Sequence, residues 1–222
     1  MSKPPQNTEY FMPQRIIGVS KRLIEAAGRE FLKNGFENSS VRTIAQKAQT
    51  SPRAIYTRFE NKEALFEAVI NPAYSDFMEL FKNDKIIYWE NAEKGRLPEK
   101  PEDYYIKYLD FAYKHKKQFQ LLLTCAKGSR FESFTEKLAQ LDLDFLQTYL
   151  PRVLSNQKDF STDLLKNWGI SDSSRKLFFE SITYSFYKNL FIPFIKEMTF
   201  EDAKDYIIKL TQFYSAGITT MR

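Results

Sequence analysis

One cysteine, Cys125, and one histidine, His115, are all that 222 residues offer of the two most versatile catalytic and metal-binding side chains. A single thiol cannot close a disulfide within the chain. Any His-based metal site or Ser/Cys–His pair has to be built on His115, which lies in Lys114-His115-Lys116-Lys117, a solvated run whose cations disfavour an imidazolium. Cys125, within Leu121-Leu122-Leu123-Thr124-Cys125-Ala126, reads as a small buried apolar group. The sequence also lacks a Gly-rich phosphate loop, a Walker motif, a Cys-x-x-Cys pair, internal repeats, low-complexity tracts and any strand-like alternation. It has no apolar N-terminal run and no stretch of about 18 apolar residues. Its carboxylates scatter over helices as surface pairs with lysine. These absences point away from an enzyme, a cofactor or metal protein and a membrane protein, and towards an all-α cytoplasmic chain.

What is present is enough apolar material, 43% of residues with 16% aromatic, for a sizeable core or for two small domains. The formal charge of +5 is unevenly placed: residues 1–70 hold 11 Lys/Arg against 7 Asp/Glu, and residues 71–222 hold 22 against 21. Within residues 42–62 five basic residues face one acidic residue, Glu60, a balance suited to a phosphate-rich partner.

Helical periodicity runs from Arg15 to Asn34, with Leu23, Ala27 and Phe31 four apart, and Gly35 supplies a left-handed stop. Two short helices follow. Ser40 caps the first, which turns Val41, Ile44, Ala45 and Ala48 inward and Arg42, Thr43, Gln46 and Lys47 outward. Ser51 caps the second, with Pro52 at its first position, where the missing N–H removes nothing. At about 100° per residue, Ile55 and Phe59 share its packed face, Arg53 and Thr57 lie opposite, and Ala54, Tyr56 and Arg58 flank them. Two short helices in series predict a helix-turn-helix. Asn61 caps a further helix from Lys62 to about Lys94, which Pro72 kinks or splits.

These residues carry a resemblance to the DNA-binding domain of the tetracycline-repressor (TetR) family over about residues 15–70. The matching elements are Leu23-Ile24-Glu25-Ala26-Ala27-Gly28-Arg29-Glu30-Phe31, Gly35-Phe36, Ile44-Ala45, Ser51, Tyr56-Thr57-Arg58-Phe59 and Asn61-Lys62-Glu63-Ala64-Leu65. One departure is Gln49-Thr50, where the family places Gly followed by Val or Ile. The resemblance implies a homodimer that sets its recognition helices in successive major grooves of a palindromic double-stranded operator. It assigns base reading to Arg42, Arg53, Ala54 and Thr57, since an Arg fork fits guanine and a small Ala meets a thymine methyl. It leaves phosphate contact to Thr43, Ser51, Tyr56, Arg58 and Lys62.

Beyond Gly95–Pro101, a loop, helical spacing returns over Tyr104–Lys117, Gln118–Ala126, Phe131–Ser155, Ser174–Met198 and Phe200–Met221, with a polar stretch at Asn156–Ser173. Pro193 bends the penultimate helix, and Thr199 with Asp202 resembles a capping box. The chain thus divides into an arm at 1–14, a three-helix DNA-binding domain at 15–61, and a helical effector-binding and dimerisation domain at 62–222. The last two helices carry more apolar face than one subunit covers, and the resemblance makes Phe178, Ile182, Phe186, Tyr206, Leu210, Phe213 and Gly217 a subunit interface. It also implies an effector pocket among the middle helices, for which Tyr108, Phe111, Phe119, Leu122, Cys125 and Phe134 are the candidates, so that a small hydrophobic or flat aromatic effector is expected. In the family's mode of action the effector shifts the Pro72-containing helix and spreads the reading heads beyond one groove repeat of about 34–36 Å. The function expected is a dimeric repressor released by its effector. The alternative is a helical ligand-binding or partner-recruiting protein, or an activator, that does not repress by operator binding.

Overall fold

The structure, a computed structural model, describes residues 14–156 and 172–220, and these are helical with loops between. The chain separates into two compact units, residues 1–69 and 70–222.

In the first unit, α1 (Gln14–Asn38) is broken at Gly35, whose φ of 72° and ψ of 168° are open only to glycine at low energy. Both short helices form with the caps read from sequence. Ser40 Oγ accepts the Thr43 N–H at the start of α2 (Val41–Lys47), and Ser51 Oγ accepts the Ala54 N–H at 3.1 Å at the start of α3 (Pro52–Tyr56). Each such cap is worth about 1 kcal/mol. Between them the chain turns in a Schellman motif: the Thr50 N–H reaches Ala45 O at 2.9 Å and the Gln49 N–H reaches Gln46 O at 3.1 Å. Gln49 therefore takes the left-handed position, with φ 53°.

Asn61 Oδ1 accepts the Ala64 N–H at 2.8 Å and opens α4 (Lys62–Ile70). α4 falls in the first compact unit, whereas the sequence reading opens the second domain at Lys62. Leu65 and Phe66 are wholly buried, and the Phe66 ring lies 5.0 Å from Phe31 and 5.3 Å from Phe36 in edge-on contacts. With Leu23, Ala27, Ile44 and Ile55 at or below 1% exposure, these rings form the core that holds α2 and α3. Proline splits the long helix instead of kinking it: α4 stops at Ile70 and α5 (Ala73–Glu93) starts after Pro72.

The second unit contains α5, α6 (Glu102–Lys114), α7 (Lys116–Gln120), a π-helical turn at Leu121–Cys125, α8 (Phe134–Asn156), α9 (Asp172–Leu190), α10 (Ile192–Ile195) and α11 (Phe200–Thr220). Pro193 opens α10 and so separates it from α9, where the sequence reading had one bent helix. Thr199 and Asp202 make half of a capping box. Thr199 Oγ1 accepts the Asp202 N–H at 3.2 Å, and its own O–H goes to Asp202 Oδ2 at 2.6 Å, because the Asp side chain is one methylene shorter than Glu. α8 packs on α5 and α9, and α11 packs on α6. The centre is Phe77, whose ring is 5.1 Å from Phe119, 5.7 Å from Tyr108, 5.8 Å from Phe134 and 6.2 Å from Phe191. The expected arm, the polar stretch at 157–171 and Met221 lie outside the described residues. Among those described, no helix is long and apolar enough to cross a membrane.

Candidate nucleic-acid interface and effector cavity

The outward side of the helix pair is set by what its inward side buries. Ile44, Ala45, Ala48 and Ile55 are at most 1% exposed, so the intervening positions of α2 and α3 face out. Arg42, Arg53, Thr57 and Arg58 are exposed, as is Ser51 at the α3 cap; Tyr56 is 52% exposed, and Thr43 and Ala54 are partly exposed. Arg42, Arg53 and Arg58 have no ion-pair partner among the described residues, which leaves three guanidinium forks on a surface of short side chains. The Thr57 hydroxyl bonds back to Arg53 O at 2.9 Å, which turns its methyl outward-capable and holds the last turn of α3. By contrast Lys47, on the same helix as Arg42, is committed: its ammonium meets the nearly buried Glu30 carboxylate at 2.6 Å. That hydrogen bond, more than any other influence, holds the Glu30 carboxyl below the usual carboxylate range, with burial opposing and Asn34 assisting.

Lys62 departs from its expected phosphate role. Its Nζ donates to Phe36 O at 2.7 Å, Glu37 O at 3.2 Å and Ser39 O at 3.4 Å, and sits 4.4 Å over the Phe36 ring. All three N–H donors are thereby directed at the carbonyls that close α1, as a cation satisfies a helix C-terminus. The sequence could place Lys62 at the start of α4, but not opposite the end of α1.

In the second unit the cavity lies elsewhere than the sequence reading put it. Of the six candidates only Tyr108 borders it. Phe119, Leu122 and Phe134 are at most 2% exposed, and the Phe119 and Phe134 rings are 6.0 Å apart within the Phe77 cluster. Phe111 stacks on His115 at 4.4 Å, and Cys125 is buried beside Thr124 Oγ1 at 3.4 Å. The Phe111, Phe119 and Phe134 rings pack against Phe77, and Phe119 packs against both of the others.

A cavity of about 380 Å³ is bounded by α5, α6, α8, α9 and α11. Its wall is tyrosine-rich and holds two ion pairs. Lys85 Nζ lies 2.7 Å from Asp142 Oδ1, while the Tyr187 hydroxyl donates to Asp142 Oδ2 at 2.9 Å. Asp84 receives Lys107 Nζ on both oxygens, at 2.7 and 3.0 Å. Lys85 is also caged by the rings of Phe81, Tyr105 and Tyr187 at 5.5 to 5.8 Å. Burial, the largest single influence, works against its charge, but Asp142 together with Tyr105 and Tyr88 outweighs it and raises the pKa. Burial first, with the aspartates adding, raises the pKa of Tyr105, Tyr108 and Tyr187, so these hydroxyls stay neutral. One sequence signal for this site existed: Asp84 and Lys85 fall in the same helical stripe as Phe77, Phe81 and Trp89, where a charge has no reason to be unless it is paired.

Of the expected interface residues, Phe186 is 8% exposed, and it borders the cavity together with the partly exposed Ile182. Phe178, Tyr206, Leu210 and Gly217 are partly exposed, a Cβ at Gly217 would meet nothing within 4 Å, and Phe213 is 75% exposed.

Residues 23–69 match the family model described as bacterial regulatory proteins, tetR family. The chain is similar to the HTH-type transcriptional regulator QacR of Staphylococcus aureus, with 25% identity over 138 residues, 62% of this chain and 66% of that protein. It is also 39% identical over 49 residues to the HTH-type transcriptional regulator UidR of Escherichia coli, 22% of this chain and 25% of that one. The matched part is thus about two thirds of the length of the first relative and a quarter of the second. A solved TetR-like transcriptional regulator from Rhodococcus sp. RHA1 superposes with a TM-score of 0.51 and 20% identity, over 93% of this chain and 99% of that one, which extends the shared fold over both units.

Proposed function

We propose, for a chain that belongs to the tetR family of bacterial regulatory proteins by its residues 23–69, the role of a transcriptional regulator that binds operator DNA as a homodimer, represses, and is released by a small molecule. The observation that carries DNA binding is the outward face of α2 and α3. Three unpaired arginines, an exposed tyrosine and small residues occupy it, and a five-to-one basic excess over residues 42–62 surrounds them. In this reading Arg53 and Ala54, in the first turn of α3, and Thr57 at its end read base edges with Arg42, and Thr43, Ser51, Tyr56 and Arg58 contact phosphates. Pairing of two chains is supported by Phe213 and Leu177, 75% and 64% exposed on α11 and α9, which a second copy would cover. Effector control is supported by the cavity. Four of its lining residues, Asp84, Lys85, Tyr88 and Trp89, stand on α5, the helix that follows Pro72 directly in the chain.

Selection of bound duplexes from a random pool, followed by fluorescence anisotropy over a salt series, tests the reading. Recovery of an inverted repeat, bound by a dimer with a steep negative salt slope, is the expected result. Binding without sequence preference, or by a monomer alone, would sink it.

A further inference from the structure

The cavity in the second unit is distinguished by what its polar groups have not found. Trp89 Nε1, Tyr108 Oη and Thr211 Oγ1 are buried, have no hydrogen-bond partner among the described residues, and belong to side chains that line this one space. The three residues are 8%, 1% and 4% exposed. A buried polar group left unpaired costs about 1–3 kcal/mol, so three around a single cavity favour a bound molecule that accepts from them. The Tyr108 hydroxyl lies beside Asp84 outside good hydrogen-bond geometry, and both Asp84 oxygens receive Lys107. Asp142 is likewise occupied, by Lys85 on one oxygen and Tyr187 on the other.

The unpaired groups are therefore of one kind. The indole N–H only donates, and the two hydroxyls have protons to give, while each carboxylate oxygen of the wall already accepts one donor. Lys85 adds to the same side: an ammonium has three N–H donors, and one ion pair uses one of them. Charge is balanced, with two carboxylates against Lys85 and Lys107. An added cation finds no unneutralised carboxylate, and an added anion faces Asp84 and Asp142. The remaining wall is flat rings, with Tyr88 5.4 Å from Trp89 and Tyr105 4.5 Å from Phe186.

We infer that this cavity takes a neutral, flat aromatic molecule bearing acceptor oxygens, such as a ring ketone, held by donors from Trp89, Tyr108 and Thr211. This rests on the effector-controlled regulator proposed above and names its effector's class.

The test uses four probes of one shape on the full chain by titration calorimetry: 9-fluorenone, fluorene, fluorene-9-carboxylate and N-methylacridinium. The expected order places 9-fluorenone at least tenfold tighter than any of the others. The double variant Trp89→Phe/Thr211→Val keeps ring and shape while removing two donors, and should weaken 9-fluorenone about tenfold while leaving fluorene within twofold. A cation or carboxylate binding more tightly than the ketone, fluorene binding equally well, or no ketone binding overturns the assignment; the wild-type series alone decides this should the variant not fold. DNA release is read separately. Ketone bound in the expected order with DNA retained preserves the ligand class and removes effector control, whereas release by one of the other three, with no ketone binding, preserves control and removes the class.

Discussion

Lys62 Nζ and the carbonyl oxygen of Phe36 are 2.7 Å apart, and the same ammonium rides 4.4 Å above the Phe36 ring. One side chain thus ties the first turn of α4 to the end of α1, across 26 residues of sequence, in the unit that presents the arginines. Lys62→Met removes the donors while keeping the length. It should lower stability by about 1–3 kcal/mol, since three carbonyls lose a charged donor, and leave the slope of log affinity against log salt unchanged. A slope reduced by about 1 would instead return Lys62 to phosphate contact. Urea unfolding and a salt titration on the same preparations check both parts.

Arg53 and Arg58 should separate by what they do to specificity. Arg53→Ala is expected to cost about 1–3 kcal/mol on the selected operator and far less on random duplex, because a lost base contact counts only where the base is correct. Arg58→Ala should weaken both DNAs alike and flatten the salt slope by about 1. Equal losses on the two duplexes for Arg53→Ala would remove it from base reading.

Gln49 occupies the left-handed position of the α2 C-terminal motif, a place that suits glycine. A side chain there costs about 1–2 kcal/mol, and glycine returns about 0.4–1 kcal/mol of that through its freer unfolded state. Gln49→Gly is therefore expected to stabilise the chain by about 0.5–1 kcal/mol. Its backbone bonds, Gln49 N–H to Gln46 O and Thr50 N–H to Ala45 O, need no side chain. Thermal and urea unfolding give the sign directly.

Much of this was legible in the sequence because it is local. Caps at Ser40, Ser51 and Asn61 and the stop at Gly35 involve partners within five residues, so spacing alone predicts them, while Gln49 stood out only against the family pattern. What escaped depends on contacts far apart along the chain. Lys62 meets Phe36, Lys85 meets Asp142, and Tyr187 meets Asp142 across 45 residues. The aromatic candidates at Phe119 and Phe134 failed for the same reason: a ring on an apolar stripe is pocket or core according to whether another ring fills the space, and Phe77 and Phe191 do.

Glu30 and Lys47 predict an acid limit for the first unit. Lys47 holds the folded Glu30 carboxyl below its ordinary value of 4.5, so its contribution is present above that pH and is lost as the pH falls through the lower folded pKa. Stability should drop below about pH 4.5. Lys47→Met should cost about 1–2 kcal/mol at pH 7 and shrink that drop. Urea midpoints from pH 7 to pH 3 for both proteins supply the comparison, and an unchanged pH profile in the variant would exclude the pair as its source.

The buried pair of the second unit should respond unequally to loss of either partner. Lys85 is 10% exposed and depends on Asp142 alone for its ion pair, while Asp142 is 22% exposed and keeps the Tyr187 hydroxyl if the lysine goes. Asp142→Asn strands a buried ammonium, and a cost of about 3–5 kcal/mol is expected. Lys85→Met leaves a carboxylate that is partly hydrated and still hydrogen-bonded, and should cost clearly less. Combining the two removes both charges, so the double variant should be more stable than Asp142→Asn alone, a coupling that a double-mutant cycle on urea unfolding measures. Strictly additive losses would mean that the two side chains do not sense each other, and that the rings around Lys85 carry its charge without Asp142.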